Sequence, residues 1–294
     1  MCTKPLKAYQ NPEGGRPIFG YQGVREGLPE MQLPCGKCSE CVKDYYTAWA
    51  TRGFRELVQW ENSVFITLTY DNENLPGDYS LKKKDVQDFI KRVKKHFRSH
   101  KENPVRQIYC GEYGKKTLRP HYHVILFNVD FKDKKKHYMS DGGKQVFTSE
   151  ILSRLWGKGN CDFGYAEPES IAYLFKYVLK KKTRKEREKP LYHEHDGCIY
   201  ECEHEFIEAS RNPGIGACAK DSPSIRKGFL VTNGVKSKLP KYYLEHLKKT
   251  DLPKFLEIQD KRATFALEKT PETGKRREQK EEALKLLTDT KRRM

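Results

Sequence analysis

Two histidines stand at the head of an apolar run in Arg119-Pro120-His121-Tyr122-His123-Val124-Ile125-Leu126-Phe127. Side chains alternate along a β-strand, so His121 and His123 are expected on one face, close enough to bind a single metal ion. The run 124–127 is apolar on both faces, which predicts a strand that is covered on both sides. An H-x-H pair is weak evidence alone, because two polar residues at a strand end produce the same pattern.

A third metal ligand is predicted on the preceding strand-like segment. Glu112 lies in Tyr109-Cys110-Gly111-Glu112-Tyr113-Gly114, and a short connection would pair this segment with the histidine strand as a hairpin. Two imidazoles and one carboxylate would leave coordination positions open for substrate oxygens, as a catalytic ion requires. The sequence therefore predicts a metal site of the catalytic type.

Residues 171–180 have the periodicity of a helix, here called the tyrosine helix. Its two faces are an apolar stripe and a cationic face with two tyrosines: Ile171, Leu174, Phe175 and Val178 against Tyr173, Lys176, Tyr177 and Lys180. Tyrosines at i and i+4 usually form a packed aromatic face, but the apolar stripe already supplies a core side here. Neighbouring ammonium groups would stabilise a phenolate and lower the tyrosine pKa from about 10. This face suits attack on an anionic phosphodiester.

The composition favours a nucleic-acid partner. The 294 residues include 57 Lys and Arg against 40 Asp and Glu, a formal net charge of +17. Apolar stretches are too short for a membrane-spanning helix, and the N-terminal residues lack the apolar region of a signal peptide. Nine cysteines without an export signal indicate a reducing compartment. A P-loop motif is absent, so we expect any unwinding motor to be borrowed.

The order of periodic segments predicts the fold class. Between residues 63 and 180 the order is β-α-β-β-α-β-α, which predicts an α+β fold with a ferredoxin-like antiparallel sheet flanked by helices. The stretch 132–136 is predicted to be a basic loop, and 190–235 to be rich in loops. Three segments are expected: an N-terminal arm with a cysteine-rich part (1–60), a core (61–185), and a loop-rich and helical C-terminal extension (186–294).

A second metal site is predicted from the spacing Cys35-x-x-Cys38-x-x-Cys41. Thiolates at this spacing suit a tetrahedral zinc ion, which needs a fourth ligand. An iron–sulfur cluster and unligated thiols remain alternatives, since ferredoxins share the spacing. A third cluster of possible zinc ligands follows without a C-x-x-C pair: His193, His195, Cys198, Cys202, His204 and Cys218.

These segments together resemble the HUH endonucleases, in the two-tyrosine class of rolling-circle replication initiators. The closer resemblance is to the initiators of gokushoviruses, small single-stranded DNA phages of the microvirus group. It extends along most of the chain, and its motifs occur in the family's order. The matching segments are Pro34–Cys41, Phe65–Tyr70, Cys110–Gly114, Arg119–His123, the tyrosine helix and Arg211–Gly216.

The resemblance implies a specific chemistry. Tyr173 or Tyr177 would attack a DNA phosphodiester and retain the 5′-phosphate, while Lys176 would support the phenolate or the phosphate. The Glu112, His121 and His123 site would bind Mg²⁺ or Mn²⁺ as a Lewis acid.

The resemblance also implies the fourth thiol and the partners. Cys2 would complete the cysteine site, because gokushovirus initiators also have a cysteine near the start. The partners would be origin DNA together with a host helicase and a host polymerase, and the compartment would be the cytoplasm of a bacterial host.

Two other functions fit part of the sequence. A plasmid-type initiator or relaxase would share the histidines and tyrosines, but it matches the N-terminal cysteines and Arg211–Gly216 less well. A non-enzymatic zinc-containing nucleic-acid-binding protein would need only the charge and the cysteines. The tyrosine face favours the enzyme, because a binding protein has no use for it.

Overall fold

The computed structural model describes residues 2–13, 15–140, 142–179, 189–232, 235–268 and 274–293. The strands in this part of the chain are β1 (Leu6–Tyr9), β2 (Glu30–Leu33), β3 (Ser63–Thr69), β4 (Arg106–Tyr113), β5 (Pro120–Phe127), β6 (Lys135–Met139), β7 (Gln145–Thr148), β8 (Cys161–Tyr165), β9 (Leu191–His195), β10 (Cys198–Cys202), β11 (Phe206–Ala209), β12 (Phe229–Thr232) and β13 (Val235–Lys238). The α-helices are α1 (Tyr21–Arg25), α2 (Ser39–Leu57), α3 (Lys83–His96), α4 (Glu150–Trp156), α5 (Pro168–Leu179), α6 (Pro223–Arg226), α7 (Lys241–Thr250), α8 (Leu252–Glu268) and α9 (Gly274–Arg293).

One large antiparallel sheet organises the middle of the chain. Its seven strands lie in the order β11-β4-β5-β3-β8-β7-β6. The histidine strand β5 is interior, because it pairs with β4 on one side and with β3 on the other. The predicted α+β class with an antiparallel sheet flanked by helices is therefore confirmed.

The two faces of this sheet have different roles. On one face, alternate residues of β3 and β5 pack against α3 and α4 and form the main core, which includes Ile66, Val124, Phe89 and Trp156. Helix α3 buries Val86, Phe89, Ile90 and Val93, the stripe expected from its 3.6-residue period. On the other face lie His121 and His123, and α5 contacts β4, β5 and β11 there. Coverage of both faces agrees with the apolar run at 124–127.

Two predictions about irregular segments were wrong. The predicted basic loop at 132–136 instead leads into strand β6, which forms a hairpin with β7 at the sheet edge. The stretch 190–235 contains the β9–β10 hairpin and strand β11, which pairs with β4 and extends the sheet. Short strands of mixed charge have little local periodicity, so the pattern did not predict them.

Contacts divide the chain into two compact units, Met1–Thr47 with Pro253–Met294, and Ala48–Leu252. These boundaries do not coincide with the three predicted segments, because β11, from the predicted C-terminal extension, belongs to the main sheet. The unit that contains both chain ends holds β1, β2, the cysteine segment and α9. No helix in the described ranges is both long and apolar enough to cross a bilayer.

Candidate metal centres

Three predicted metal ligands come together on the sheet face that α5 covers. Glu112 in β4 lies directly opposite His121 in β5, and His123 is two residues further along the same face. The ligand atoms of Glu112, His121 and His123 all lie within 4.8 Å of one another. The Glu112 side chain is only 5 % exposed. These three residues are called the histidine site below.

The Nε2 atom of His123 is the clearest sign that the histidine site suits a cation. It is buried and lies 2.8 Å from the Oε1 atom of Glu112. That approach does not have the geometry of a hydrogen bond, so Nε2 has no hydrogen-bond partner within the described ranges. A lone pair on nitrogen facing a buried carboxylate is unfavourable, and a metal ion between the two atoms would relieve it.

His121 is oriented from both ring nitrogens. Its Nδ1 lies 3.2 Å from the carbonyl oxygen of Arg119, and its Nε2 lies 2.9 Å from Oε1 of Glu112. Burial lowers the pKa of His121, but the hydrogen bonds with Glu112 and with the Arg119 carbonyl outweigh burial and raise it. A histidine whose Nδ1–H donates to a backbone carbonyl presents Nε2 to a metal, which is the usual arrangement of a metal ligand.

Aromatic rings hold His123 in place. The ring of Phe65 stacks on it with centroids 5.4 Å apart, and the ring of Tyr173 meets it edge-on with centroids 5.4 Å apart. Tyr173 also contacts Phe65 edge-on. The structure thus brings one predicted tyrosine against one predicted metal ligand.

Close packing of α2 and α5 positions the tyrosine helix. Ile171, Leu174 and Phe175 are buried, as the apolar stripe predicted, whereas Tyr173 is 38 % exposed. A Cβ atom on Gly53 would lie 2.6 Å from Cγ2 of Ile171, so the close approach of α2 depends on glycine.

The rest of the predicted cationic face cannot be placed in the same way. The side chains of Lys176, Tyr177 and Val178 lie outside the described residues, and so does Lys180. Their roles remain predictions.

Two further residues border the histidine site and were not predicted. Thr67 in β3 is directly opposite His123, and Asp162 in β8 is directly opposite Thr67. Burial raises the pKa of Asp162, while hydrogen bonds with Tyr138 and Thr67 oppose the increase. The available sequence signal was an acidic residue inside the short strand-like segment 161–165, but its lateral neighbours depend on strand register.

The four predicted cysteines of the second site also come together. The Sγ atoms of Cys2, Cys35, Cys38 and Cys41 lie within 4.8 Å of one another, and all four thiols are free. The Sγ atoms of Cys2 and Cys38 are 3.7 Å apart, well beyond a disulfide bond. Backbone N–H groups donate to sulfur here, from Cys35 to Cys2 and from Cys38 to Cys35, at 3.3 Å each. Such donors stabilise thiolates, the form that binds metal.

A buried carboxylate borders this cysteine site. Oε2 of Glu281 in α9 accepts a hydrogen bond from the Thr3 hydroxyl at 2.7 Å. Oε1 accepts hydrogen bonds from the Ser39 hydroxyl at 3.0 Å and from the Ser39 N–H at 3.2 Å. Thr3 and Ser39 are chain neighbours of Cys2 and Cys38, and Glu281 is 8 % exposed. The sequence analysis did not identify Glu281, which is one acidic residue among many in a charged helix.

The predicted third cluster does not form. Among the described residues, the groups whose ligand atoms meet within 4.8 Å are the histidine site and the cysteine site. The members of the third cluster have other contacts: His193 meets Tyr113 edge-on, His195 stacks on Tyr79, His204 contacts the Lys189 carbonyl, and Cys202 and Cys218 donate to the carbonyls of Asp78 and Arg55. In the β9–β10 hairpin, packing rather than metal binding explains the histidines.

Comparisons with known proteins give a consistent family. A family of replication-associated proteins, described by the name ORF2, matches residues 63–182. Replication-associated protein VP4 of Bdellovibrio phage phiMH2K is 33 % identical over 268 residues, which cover 88 % of this chain and 81 % of the phage protein. Replication-associated protein ORF2 of Spiroplasma virus 4 is 29 % identical, with coverage of 61 % of each chain.

A further relative is matched over a smaller share of its length. Replication-associated protein ORF4 of Chlamydia phage 1 is 32 % identical over 168 residues, which cover 56 % of this chain and 41 % of that protein. No solved structure has a significant match to the chain.

Proposed function

Since the chain belongs to the family of microvirus replication-associated proteins, we propose that it is a site-specific endonuclease and ligase for single-stranded DNA. In this role it initiates rolling-circle replication of a small phage genome. The observation that supports the proposal best is the meeting of Glu112, His121 and His123 on one sheet face, with Tyr173 against His123. A nucleophile beside a polarising site is what phosphoryl transfer to the protein requires.

In the proposed reaction a tyrosine oxygen attacks the phosphorus of one phosphodiester at the origin. The bond from phosphorus to the 3′-oxygen breaks, the 3′-oxygen takes up a proton, and the 5′-phosphate becomes esterified to tyrosine. The ester conserves the energy of the broken bond for later ligation. The free 3′-hydroxyl primes a host polymerase, and a host helicase separates the strands in the host cytoplasm.

Two tyrosines one helical turn apart allow a second transfer. While Tyr173 or Tyr177 holds the first 5′-end, the other attacks the regenerated origin after one round of synthesis. The released 3′-hydroxyl then attacks the first phosphotyrosine and closes a single-stranded circle. Lys176, which lies between the tyrosines in the sequence, would support the phenolate or the phosphate.

The histidine site would hold Mg²⁺ or Mn²⁺, and its two imidazoles favour Mn²⁺ in vitro. The orphaned Nε2 of His123 facing Glu112 supports this fit. When bound, the ion supplies charge neutralisation at the phosphate. Phe65 and Tyr173 hold the His123 ring, and the Arg119 carbonyl orients His121.

The test uses labelled single-stranded oligonucleotides that tile the phage genome, incubated with the purified chain and Mn²⁺ or Mg²⁺. We expect a protein–DNA adduct that survives SDS with oligonucleotides that contain the origin. Glu112→Ala, His121→Ala and His123→Ala should each abolish the adduct without unfolding the chain. His100→Ala, at a largely exposed histidine, is the matched control and should nick normally.

Two outcomes would contradict the proposal. Without any adduct from the wild-type chain, but with retained DNA binding, the non-enzymatic binding protein becomes the better interpretation. Nicking at the wild-type rate by Glu112→Ala would remove Glu112 from the site and leave the two histidines unaffected.

We also propose that the cysteine site binds one structural Zn²⁺. Support comes from four Sγ atoms gathered from positions 2, 35, 38 and 41. Zinc with four thiolate ligands is a closed, tetrahedral site, which stabilises a fold instead of binding substrate. Metal analysis should find about one zinc per chain. Cys38→Ser should lose it, whereas Cys198→Ser, at an exposed cysteine, should keep it. A coloured protein that contains iron would contradict this assignment.

A further inference from the structure

Three side chains form a line across neighbouring strands beside the histidine site. His123 in β5 is directly opposite Thr67 in β3, and Thr67 is directly opposite Asp162 in β8. Directly opposed residues point from the same face of an antiparallel sheet. The line therefore leads from a metal ligand, through one hydroxyl, to one carboxylate.

The two ring nitrogens of His123 have different surroundings. Nδ1 lies 3.4 Å from the Thr67 hydroxyl oxygen. Nε2 faces the Glu112 carboxylate without a hydrogen bond. A neutral imidazole has one N–H donor and one acceptor nitrogen, so its tautomer decides which nitrogen can bind a metal. If Nδ1 has the hydrogen and donates it to Thr67, the lone pair of Nε2 is left for the ion.

Packing alone does not fix this choice. Phe65 stacks on the His123 ring at an interplanar angle of 21°, which sets the plane of the ring. A half-turn about the Cβ–Cγ bond keeps that plane and the ring's outline, but it exchanges nitrogen and carbon positions. Only a hydrogen bond distinguishes the two orientations, and Thr67 is the group that can make it.

A threonine hydroxyl accepts well from Nδ1–H when its own hydrogen is directed elsewhere. Asp162 supplies the acceptor for that hydrogen, because its carboxylate borders the Thr67 side chain. Among the described residues, Asp162 has no salt bridge with lysine or arginine, and the Tyr138 hydroxyl lies 3.4 Å from its Oδ2. A half-buried carboxylate on this face is thus free to accept from neutral hydroxyl groups.

We propose that Asp162 is a positioning residue for the histidine site: through Thr67 it holds His123 in the Nδ1–H tautomer, with Nε2 directed at the ion. The inference rests on the metal site of the proposed function. Outer hydrogen bonds of this kind orient ligand histidines in metalloproteins, and their loss weakens metal binding.

The first test needs no variant. In the metal-free protein, long-range ¹H–¹⁵N NMR spectra of ¹⁵N-histidine-labelled chain report which ring nitrogen of His123 has the hydrogen, with His123→Gln for assignment. We expect the Nδ1–H form in neutral solution. An Nε2–H form would overturn the proposal.

The second test measures Mn²⁺ affinity by the EPR signal of free Mn²⁺. Thr67→Val and Asp162→Ala should each weaken binding about 10- to 100-fold. Thr67→Ser keeps the hydroxyl and Asp162→Asn keeps an acceptor oxygen, so both should recover much of the loss. Thr69→Val is the matched control, since Thr69 is on the same face but its hydroxyl donates to the Asn160 carbonyl.

The outcomes separate this inference from the proposed function. If wild type binds Mn²⁺ and His123→Ala does not, but Thr67→Val and Asp162→Ala bind like wild type, the positioning role fails and the metal site stands. If wild type and His123→Ala bind Mn²⁺ equally, the metal site itself fails. Equal losses in Thr67→Val and Thr67→Ser would mean that packing, not the hydroxyl, matters, which also overturns the inference.

Discussion

Replacement of Glu56 by glutamine is expected to destabilise the unit 48–252 strongly. Glu56 is a buried carboxylate on α2, and its Oε1 accepts a hydrogen bond from Nε of Arg106 at 2.6 Å. Its Oε2 accepts a hydrogen bond from the N–H of Gly216 at 2.7 Å. The side chains of Arg106 and Glu56 are 7 % and 2 % exposed. Glutamine keeps the shape but leaves the buried guanidinium without its counter-charge.

The expected magnitude follows from that burial. Removal of one partner from a buried ion pair costs about 3–5 kcal/mol, because the other charge stays desolvated. For a unit of this size each kcal/mol lowers Tm by about 2–4 °C, so the fall should be about 6–20 °C. The pair also holds the 211–216 segment, since Nη2 of Arg106 donates to the Pro213 carbonyl at 2.8 Å. We therefore expect this segment to be structural, with nicking retained below the lowered Tm.

Thermal unfolding followed by circular dichroism at a fixed protein concentration measures the effect. Asp88→Asn is the control, because it breaks exposed ion pairs on α3 and should change stability by less than about 1 kcal/mol. Combining Glu56→Leu with Arg106→Met removes both charges and should recover much of the lost stability. A Glu56→Gln protein that melts with the Asp88→Asn control would refute the reasoning.

Three further predictions concern the sites. Single Tyr173→Phe or Tyr177→Phe proteins should still nick a simple oligonucleotide but release no unit-length circles, and the double variant should form no adduct; a Tyr173→Phe protein that terminates like wild type would make Tyr173 a packing residue. Chelation of zinc should lower the Tm and increase hydrogen exchange in residues 274–282, and unchanged exchange would argue against coupling of α9 to the cysteine site. Glu281→Gln should weaken zinc retention relative to the exposed control Glu282→Gln, since only Glu281 bonds to residues next to the cysteines.

The sequence alone was sufficient for features with a short repeat. Period two placed His121 and His123 on one face, and the short turn after Glu112 paired the two strands in the predicted register. The 3.6-residue period identified the buried stripes of α3 and α5. The Cys35-x-x-Cys38-x-x-Cys41 spacing predicted the cysteine site, whereas Cys2 came from family resemblance. In each case the information lies within a few neighbouring residues, so local geometry fixes it.

Only the tertiary structure decided what meets across the sheet. Strand β11 adds to β4 from almost a hundred positions away, and Glu281 reaches residues beside Cys2 and Cys38 from the far end of the chain. Asp162 borders Thr67 and, through it, His123 because β8 pairs with β3 in one particular register. A shift of one residue would turn Asp162 to the opposite face. Register between distant strands is set by the burial of whole faces, which no single stretch of sequence contains, and the surroundings of the histidine site depend on it.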